Sequence, residues 1–326
     1  MRKAYLGITA ATAVVAVALW VAGRSGPVEQ VYVLTPKTAV WSRLAVVREP
    51  LVELHYGERL DVLERREEHA RVRTAAGITG WIELRHLLPP QTWQRATDLT
   101  EGAAKLPRQS TGTTKVRTNV RLEPGRTGTP IFQFLADTKL EVVARRVVEW
   151  TQPPKAAPGE EGEAEAAPAT RKEDWLLVRG FADDTREVAG WVLGRFLTPD
   201  YPEALRDYAG GNRFLAWFRL AETPSALGPR PTWLAAGVSG PEGQGCDFTL
   251  LRVYTWNAKR ARYETAYVES NLCARLPIRA TPAAHGDALG SGRFSFLAVG
   301  RKGEDEPREY QLRQNIVRRV RSGTPR

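Results

Sequence analysis

Two short stretches decide the fold: Gly77-Ile78-Thr79-Gly80-Trp81-Ile82 and Glu187-Val188-Ala189-Gly190-Trp191-Val192. Each sets a glycine directly before a tryptophan, as expected where a strand passes so close to its neighbour that a side chain has no room. Working outward, the two surroundings match. Upstream, Ala70-Arg71-Val72-Arg73 answers Trp175-Leu176-Leu177-Val178-Arg179. Further back, His55-Tyr56-Gly57-Glu58-Arg59-Leu60-Asp61-Val62-Leu63 answers Leu135-Ala136-Asp137-Thr138-Lys139-Leu140-Glu141-Val142-Val143. Downstream, Leu87-Leu88-Pro89 answers Phe196-Leu197-Thr198-Pro199. Leu60, Val62 and Arg71-Val72-Arg73 alternate with the period of two that marks half-buried strands. Gly57 and Asp137 stand where a turn precedes a strand. Short strands between turns, present twice, predict two small β-barrels at residues 27–90 and 115–200.

This pattern resembles the bacterial SH3 family, SH3b, whose form is Asn-Val-Arg-x-x-Pro, Gly-Glu/Asp-x-Leu-x-Val-Leu, Trp-x-x-Val-Arg and Gly-x-x-Gly-Trp-Val. The second copy carries Asn119-Val120-Arg121-Leu122-Glu123-Pro124-Gly125, Trp175-Leu176-Leu177-Val178-Arg179 and Gly190-Trp191-Val192. The first copy departs from it. Trp41-Ser42-Arg43-Leu44 stands in place of Asn-Val-Arg, and His69 in place of the third-strand tryptophan. The resemblance covers about half the chain. It implies SH3-like barrels that bind peptidoglycan or an envelope protein. The contact residues would be those on or beside loops: Trp41, Tyr56, Trp81, Asn119, Arg121, Trp175 and Trp191. For Trp81 and Trp191 barrel core is the favoured place.

Composition and location narrow the partners. The chain has 326 residues, 10 Trp and a net charge of +10. Tryptophan suits small β-domains, and the charge favours anionic partners. Arg2 and Lys3 precede an uncharged run from Ala4 to Gly23, closed by Arg24. That length spans a bilayer, and the positive end stays inside, so residues beyond the run are expected to be exported. The run reads either as an uncleaved membrane anchor or as a signal peptide, with small-residue sites at Ala16-Val17-Ala18 and Val21-Ala22-Gly23. Export, to a periplasmic or other extracytoplasmic place, removes nucleic acid from the expected partners.

Between strands of the second barrel, Thr151 to Ala169 is rich in Pro, Ala and Glu and lacks aromatics, which predicts a disordered insertion. Residues 91–114 read as a polar linker with one short helical piece around Trp93 to Leu99. Residues 201–326 are β-rich. Tyr201 to Tyr208 reads as a short helix, and Phe214 to Leu220 continues it or forms a strand. Strands follow at Thr232 to Val238, Cys246 to Trp256, Arg262 to Glu269, Arg293 to Val299 and Arg308 to Val317. Asn257 to Ala261 is a hairpin loop that sets Trp256 opposite Tyr263 and Tyr254 opposite Thr265. The same register sets Cys246 opposite Cys273, the only cysteines, and an exported pair at that separation predicts a disulfide. The alternative is two buried thiols.

A wall hydrolase is the enzymatic alternative, because SH3b modules often accompany such domains. Cys246 precedes a strand-like run rather than a helix, and His285 lies in a Gly-rich loop, so a Cys246–His285 dyad is disfavoured against a bridge to Cys273. The other histidines, His55, His69 and His86, show no metal spacing and belong to the first barrel. No phosphate loop, nucleophile elbow or cofactor motif occurs. The basic tail, Gln311 to Arg326, reads as a solvated end or an electrostatic contact. The sequence therefore favours a mainly β, non-catalytic envelope binding protein without cofactor or metal. A scaffold or assembly subunit is the further alternative.

Overall fold

A computed structural model describes residues 29–151, 170–226, 228–284, 287 and 291–320. The expected N-terminal helix, His285, all of the insertion but Thr151 and the end of the basic tail lie outside the described residues. The chain is mainly β, with four antiparallel sheets, and divides into two compact units at Trp93/Gln94.

The first unit is a small barrel. Its strands are β1 (Glu29–Val33), β2 (Lys37–Trp41), β3 (Pro50–His55), β4 (Arg59–Arg66), β5 (His69–Arg73), β6 (Thr79–Glu83) and β7 (Leu87–Leu88). They lie in the order β3-β2-β6-β5-β4-β1-β7. Alternate residues turn inward, so Val31, Val33, Val40, Leu54, Leu60, Val72 and Ile82 form one core. Helix α1 (Pro90–Ala104) follows, with proline at its first position, where the missing N–H costs nothing. Its Trp93 closes the unit by stacking on Tyr32 at 4.8 Å between ring centres and packing against Tyr56 at 5.2 Å.

The second unit contains the second barrel, of strands β8 (Ser110–Thr114), β9 (Thr118–Arg121), β10 (Pro130–Phe134), β11 (Lys139–Thr151), β12 (Thr170–Phe181), β13 (Glu187–Leu193) and β14 (Leu197–Pro199). Their order, β10-β9-β13-β12-β11-β8-β14, repeats the first barrel strand for strand. The Gly-Trp motif has the same cause in both. A Cβ on Gly80 would lie 2.6 Å from the Trp41 carbonyl oxygen and from Val40 Cγ1. One on Gly190 would lie 2.5 Å from Val120 Cγ1 and 2.8 Å from the Arg121 carbonyl oxygen. Each glycine thus lets β6 or β13 touch β2 or β9. The turn residues match too, since Gly57 and Asp137 both take positive φ, 77° and 59°.

Two findings redraw the expected boundaries. The helical piece runs to Ala104, because Ala96, Thr100 and Ala103 continue the face begun by Trp93. Ala103 packs with Trp175 and Trp191, and Thr100 Oγ1 accepts the Ala189 N–H at 3.1 Å. Residues 110–114, expected as linker, are β8, whose small polar residues concealed a strand buried on one side.

The remainder is a β-sandwich. Short helix α2 (Glu203–Arg206) leads into β15 (Asn212–Thr223), β16 (Arg230–Ser239), β17 (Leu250–Asn257) and β18 (Arg262–Glu269), paired in sequence order. The second sheet is β19 (Ala274–Thr281), β20 (Arg293–Val299), β21 (Asp305–Arg313) and β22 (Ile316–Val320), also in order. Leu220, Leu234, Leu251 and Val253 of one sheet share a core with Ile278, Phe294, Phe296 and Tyr310 of the other. The outer face of the first sheet buries Phe214, Trp217 and Tyr254 beneath Leu205, Tyr201 and Tyr208. Phe214 to Leu220 is therefore strand, and Arg308 to Val317 splits into β21 and β22 at Gln314 and Asn315, both with positive φ.

The hairpin register is as expected from Asn257 to Tyr254, with Trp256 opposite Tyr263 and Tyr254 opposite Thr265. A bulge between Val253 and Tyr254 then shifts it by one, and the ladder ends at Leu251 and Glu269. Cys246 and Cys273 lie beyond that ladder, yet they are bridged, with Cα atoms 5.0 Å apart. What brings them together is the Phe248–Ala274 bridge between the two sheets, not an extended hairpin.

Candidate functional site

The second unit holds a groove of about 1010 Å³ between its barrel and its sandwich. Its shape depends on how rigidly those two parts are joined. Gln109, fully buried, accepts the Ile278 N–H at 2.8 Å and donates to the Ile278 carbonyl at 3.1 Å. Its own backbone bridges Val142 of the barrel and Trp217 of the sandwich, accepting from the Trp217 N–H at 2.9 Å. Arg145 on β11 is the second joint. Its guanidinium donates to Asp174 Oδ1 at 2.6 Å, Asp247 Oδ1 at 3.0 Å, the Gln244 carbonyl at 2.8 Å and the Cys246 carbonyl at 3.1 Å. The Arg145 side chain has no solvent exposure. Asp174 also accepts the Gly243 N–H at 3.0 Å, and Asp247 the Leu276 N–H at 2.8 Å. Burial pushes the Asp247 carboxyl above the usual range, against the pull of the Leu276 N–H and of Arg145. A buried guanidinium with both terminal nitrogens bonded fixes geometry, because any shift of either part strands a charge away from water.

On that frame the groove combines aromatic surface with paired charges. Edge strand β15 brings Trp217 and Phe218, β16 brings Trp233, and Phe181 at the end of β12 is 56% exposed. At the barrel wall Arg179 Nε donates to Glu141 Oε2 at 2.6 Å, and Arg179 Nη1 donates to the carbonyls of Ala103, Ala104 and Leu106. Arg108 lies 3.7 Å from the same Glu141. Held polar groups beside flat aromatic faces suit a ligand that is amphipathic on the scale of one ring. That is the usual character of a built binding groove.

The residues expected to contact ligand fall into two sets. Tyr56, Trp175 and Trp191 are buried, at 4%, 3% and 8% exposure, with Tyr56 against Trp93 and with Trp175 and Trp191 against Ala103 of α1. Trp41 and Trp81 face each other across β2 and β6, both half-buried, with the Arg48 guanidinium 4.3 Å over the Trp41 ring. At the matching place in the second barrel Arg121 faces Trp191, and burial lowers the Arg121 pKa. Asn119 is exposed and accepts from Gln133 at 2.7 Å. None of these seven lines the groove. The groove was invisible in sequence because its walls come from two folds juxtaposed by contacts between residues far apart in the chain, such as those of Gln109 and Arg145.

The disulfide bears on chemistry. With its sulfur bonded to Cys273, Cys246 offers no thiolate nucleophile. His86 is held by a hydrogen bond with Thr38 at 3.1 Å, and burial lowers its pKa. His55 sits exposed among Glu53 and Glu58.

No family model and no curated protein matches the chain. Two solved structures align over most of its length. NlpC2 from Trichomonas vaginalis is 10% identical, with a TM-score of 0.18, over 91% of this chain and 98% of that one. NlpC1 from the same organism is also 10% identical, with a TM-score of 0.17, over 87% and 88%. Scores at that level carry no inference about fold or function.

Proposed function

We propose that the protein is a non-catalytic, envelope-located binding protein of the SH3b type whose ligand is peptidoglycan. The observation that carries this reading is the rigid aromatic groove of the second unit. Phe181, Phe218 and Trp233 offer ring faces on which the apolar faces of sugar rings stack. The Arg179–Glu141 pair offers donors and acceptors already held in place. Export is supported by the apolar run at Ala4 to Gly23 and by the Cys246–Cys273 bridge, which persists in oxidising compartments. The hydrolase alternative loses its nucleophile to that bridge.

The test is retention of the purified protein on insoluble peptidoglycan at low and high salt, beside the Trp233→Ala, Phe181→Ala double variant. Stacking on aromatic faces is insensitive to screening, whereas attraction from the net charge of +10 is not. Retention that survives salt and falls roughly ten-fold or more in the variant supports the reading. Retention lost in salt, or unchanged in the variant, moves the ligand to a protein partner and the role to a scaffold.

A further inference from the structure

The loop between β2 and β3 and its counterpart between β9 and β10 have equal length and the same closure. Ser42 N–H donates to the Glu49 carbonyl at 3.0 Å, and Leu122 N–H to the Thr129 carbonyl at 2.9 Å. Aligned on those closures, Val46 and Val47 stand where Arg126 and Thr127 stand. Arg126 is pinned: it donates to Glu173 at 2.8 Å and lies 3.9 Å over the Trp150 ring. Val46 and Val47 touch almost nothing, at 102% and 76% exposure. The loop carries its own hydrogen bonds, with Arg43 Nε donating to the Val47 carbonyl at 3.2 Å and Glu49 N–H to Ser42 Oγ at 3.3 Å. The fold therefore does not require valines here, and the second barrel shows that it accepts polar residues instead.

We propose that this loop inserts into a phospholipid surface, with Val46 and Val47 below the headgroups and Arg43 and Arg48 at the phosphates. Three features choose lipid over protein. The tip is convex and small, far short of the roughly 800 Å² per partner of a stable protein interface, whereas a bilayer closes around a small apolar tip. The arginines bracketing the valines match phosphate: Arg43 lies on the loop itself, and Arg48, over the Trp41 ring and 3.8 Å from Glu83, stands at its base. And the apolar run ends at Gly23, a few residues before β1 begins at Glu29, so a chain anchored by that run keeps this barrel at the bilayer, where effective concentration makes a weak contact count. The inference rests on the anchoring reading of that run and not on peptidoglycan binding.

The experiment uses the full chain reconstituted into phosphatidylglycerol vesicles, which contain no wall polymer. An environment-sensitive fluorophore is placed on Val46→Cys in one sample and on Thr127→Cys in another, with the native disulfide left oxidised. The label at 46 is expected to shift to the blue and to lose several-fold more emission to brominated lipid than the label at 127. Val47→Asp in the 46-labelled chain is expected to abolish the difference. Both positions are exposed, so an unchanged melting profile confirms that folding is intact. Equal, solvent-like emission at the two positions on floating vesicles overturns the loop contact. Failure of the chain to float with the vesicles overturns both the anchoring reading and the contact.

Discussion

The two barrels share one strand order, one Gly-Trp contact and one loop closure, yet they are finished in opposite ways. The first keeps its charges outside: Glu29 pairs with Arg65, and Lys37 with Glu53, all substantially exposed. The second buries charge: Arg145, Glu173 and Asp174 are almost wholly inside, and each is paired with an opposite charge. A topology thus fixes where strands meet, while the side chains on its outer face decide whether a barrel stands alone or fuses to a neighbour. The strongest way to break the comparison is Arg145→Leu. It strands Asp174 and Asp247 in a dry junction and is expected to cost about 3–5 kcal/mol. A thermal melt that resolves the two units is expected to show the second unit's transition fall sharply and the first unit's stay put. Equal movement of both transitions would show that the units do not melt separately.

Next in size is the disulfide, which has no counterpart in either barrel. Its half-cystines are 27 residues apart in sequence, and the chain-entropy model gives a loop of that size about 3.6 kcal/mol. Cys246→Ser with Cys273→Ser is expected to lower only the second unit's denaturant midpoint by a corresponding amount. No change would show that the unfolded chain already keeps the two cysteines near each other, leaving the bridge little entropy to remove.

The glycines should sharpen the comparison by agreeing. Gly80→Ala and Gly190→Ala meet nearly the same contacts, 2.6 Å and 2.5 Å from a valine methyl, so both are expected to cost about 1–3 kcal/mol, each in its own unit. A cost confined to one barrel would mean that only that barrel is tightly packed at the crossing.

These glycines also mark what the sequence makes legible. Gly-Trp is local, as are the turns at Gly57 and Asp137, the period-two runs and the Asn257 loop, and all are where the residues placed them. What escaped has no local signature. Strand β8 reads as linker because Ser110, Thr111, Gly112, Thr113 and Thr114 are small and polar, and only their pairing with β11 and β14 makes them a strand. The shift between Val253 and Tyr254, which leaves Ala266 of β18 unpaired, falls within a run that alternates without a break. Tyr56 and Trp175 read equally well as surface or core, since an aromatic in a small barrel serves either. The groove depends on Gln109 meeting Ile278, 169 residues away, which no stretch of sequence encodes.

The smallest expected effect separates the two ways of holding charge. Burial pushes the Glu173 carboxyl up, but Arg126 and Arg195 hold it below the ordinary glutamate range. A carboxyl depressed in the fold contributes stability that is complete above its unfolded value, about 4.3, and is lost as pH falls through the folded one. Asp247, raised by burial, acts in the opposite sense, so the informative quantity is the difference between the native chain and Glu173→Gln. That difference in the second unit's midpoint is expected to shrink as pH drops below about 4.3. Glu29 and Glu53 in the first unit are depressed too, by Arg65 and by Lys37, but those pairs are exposed and screened. Raising salt should flatten the first unit's acid response and leave most of the second's. If salt flattened both equally, the Glu173 cluster would be wet, and the contrast between an outside-charged and an inside-charged barrel would reduce to the Arg145 junction alone.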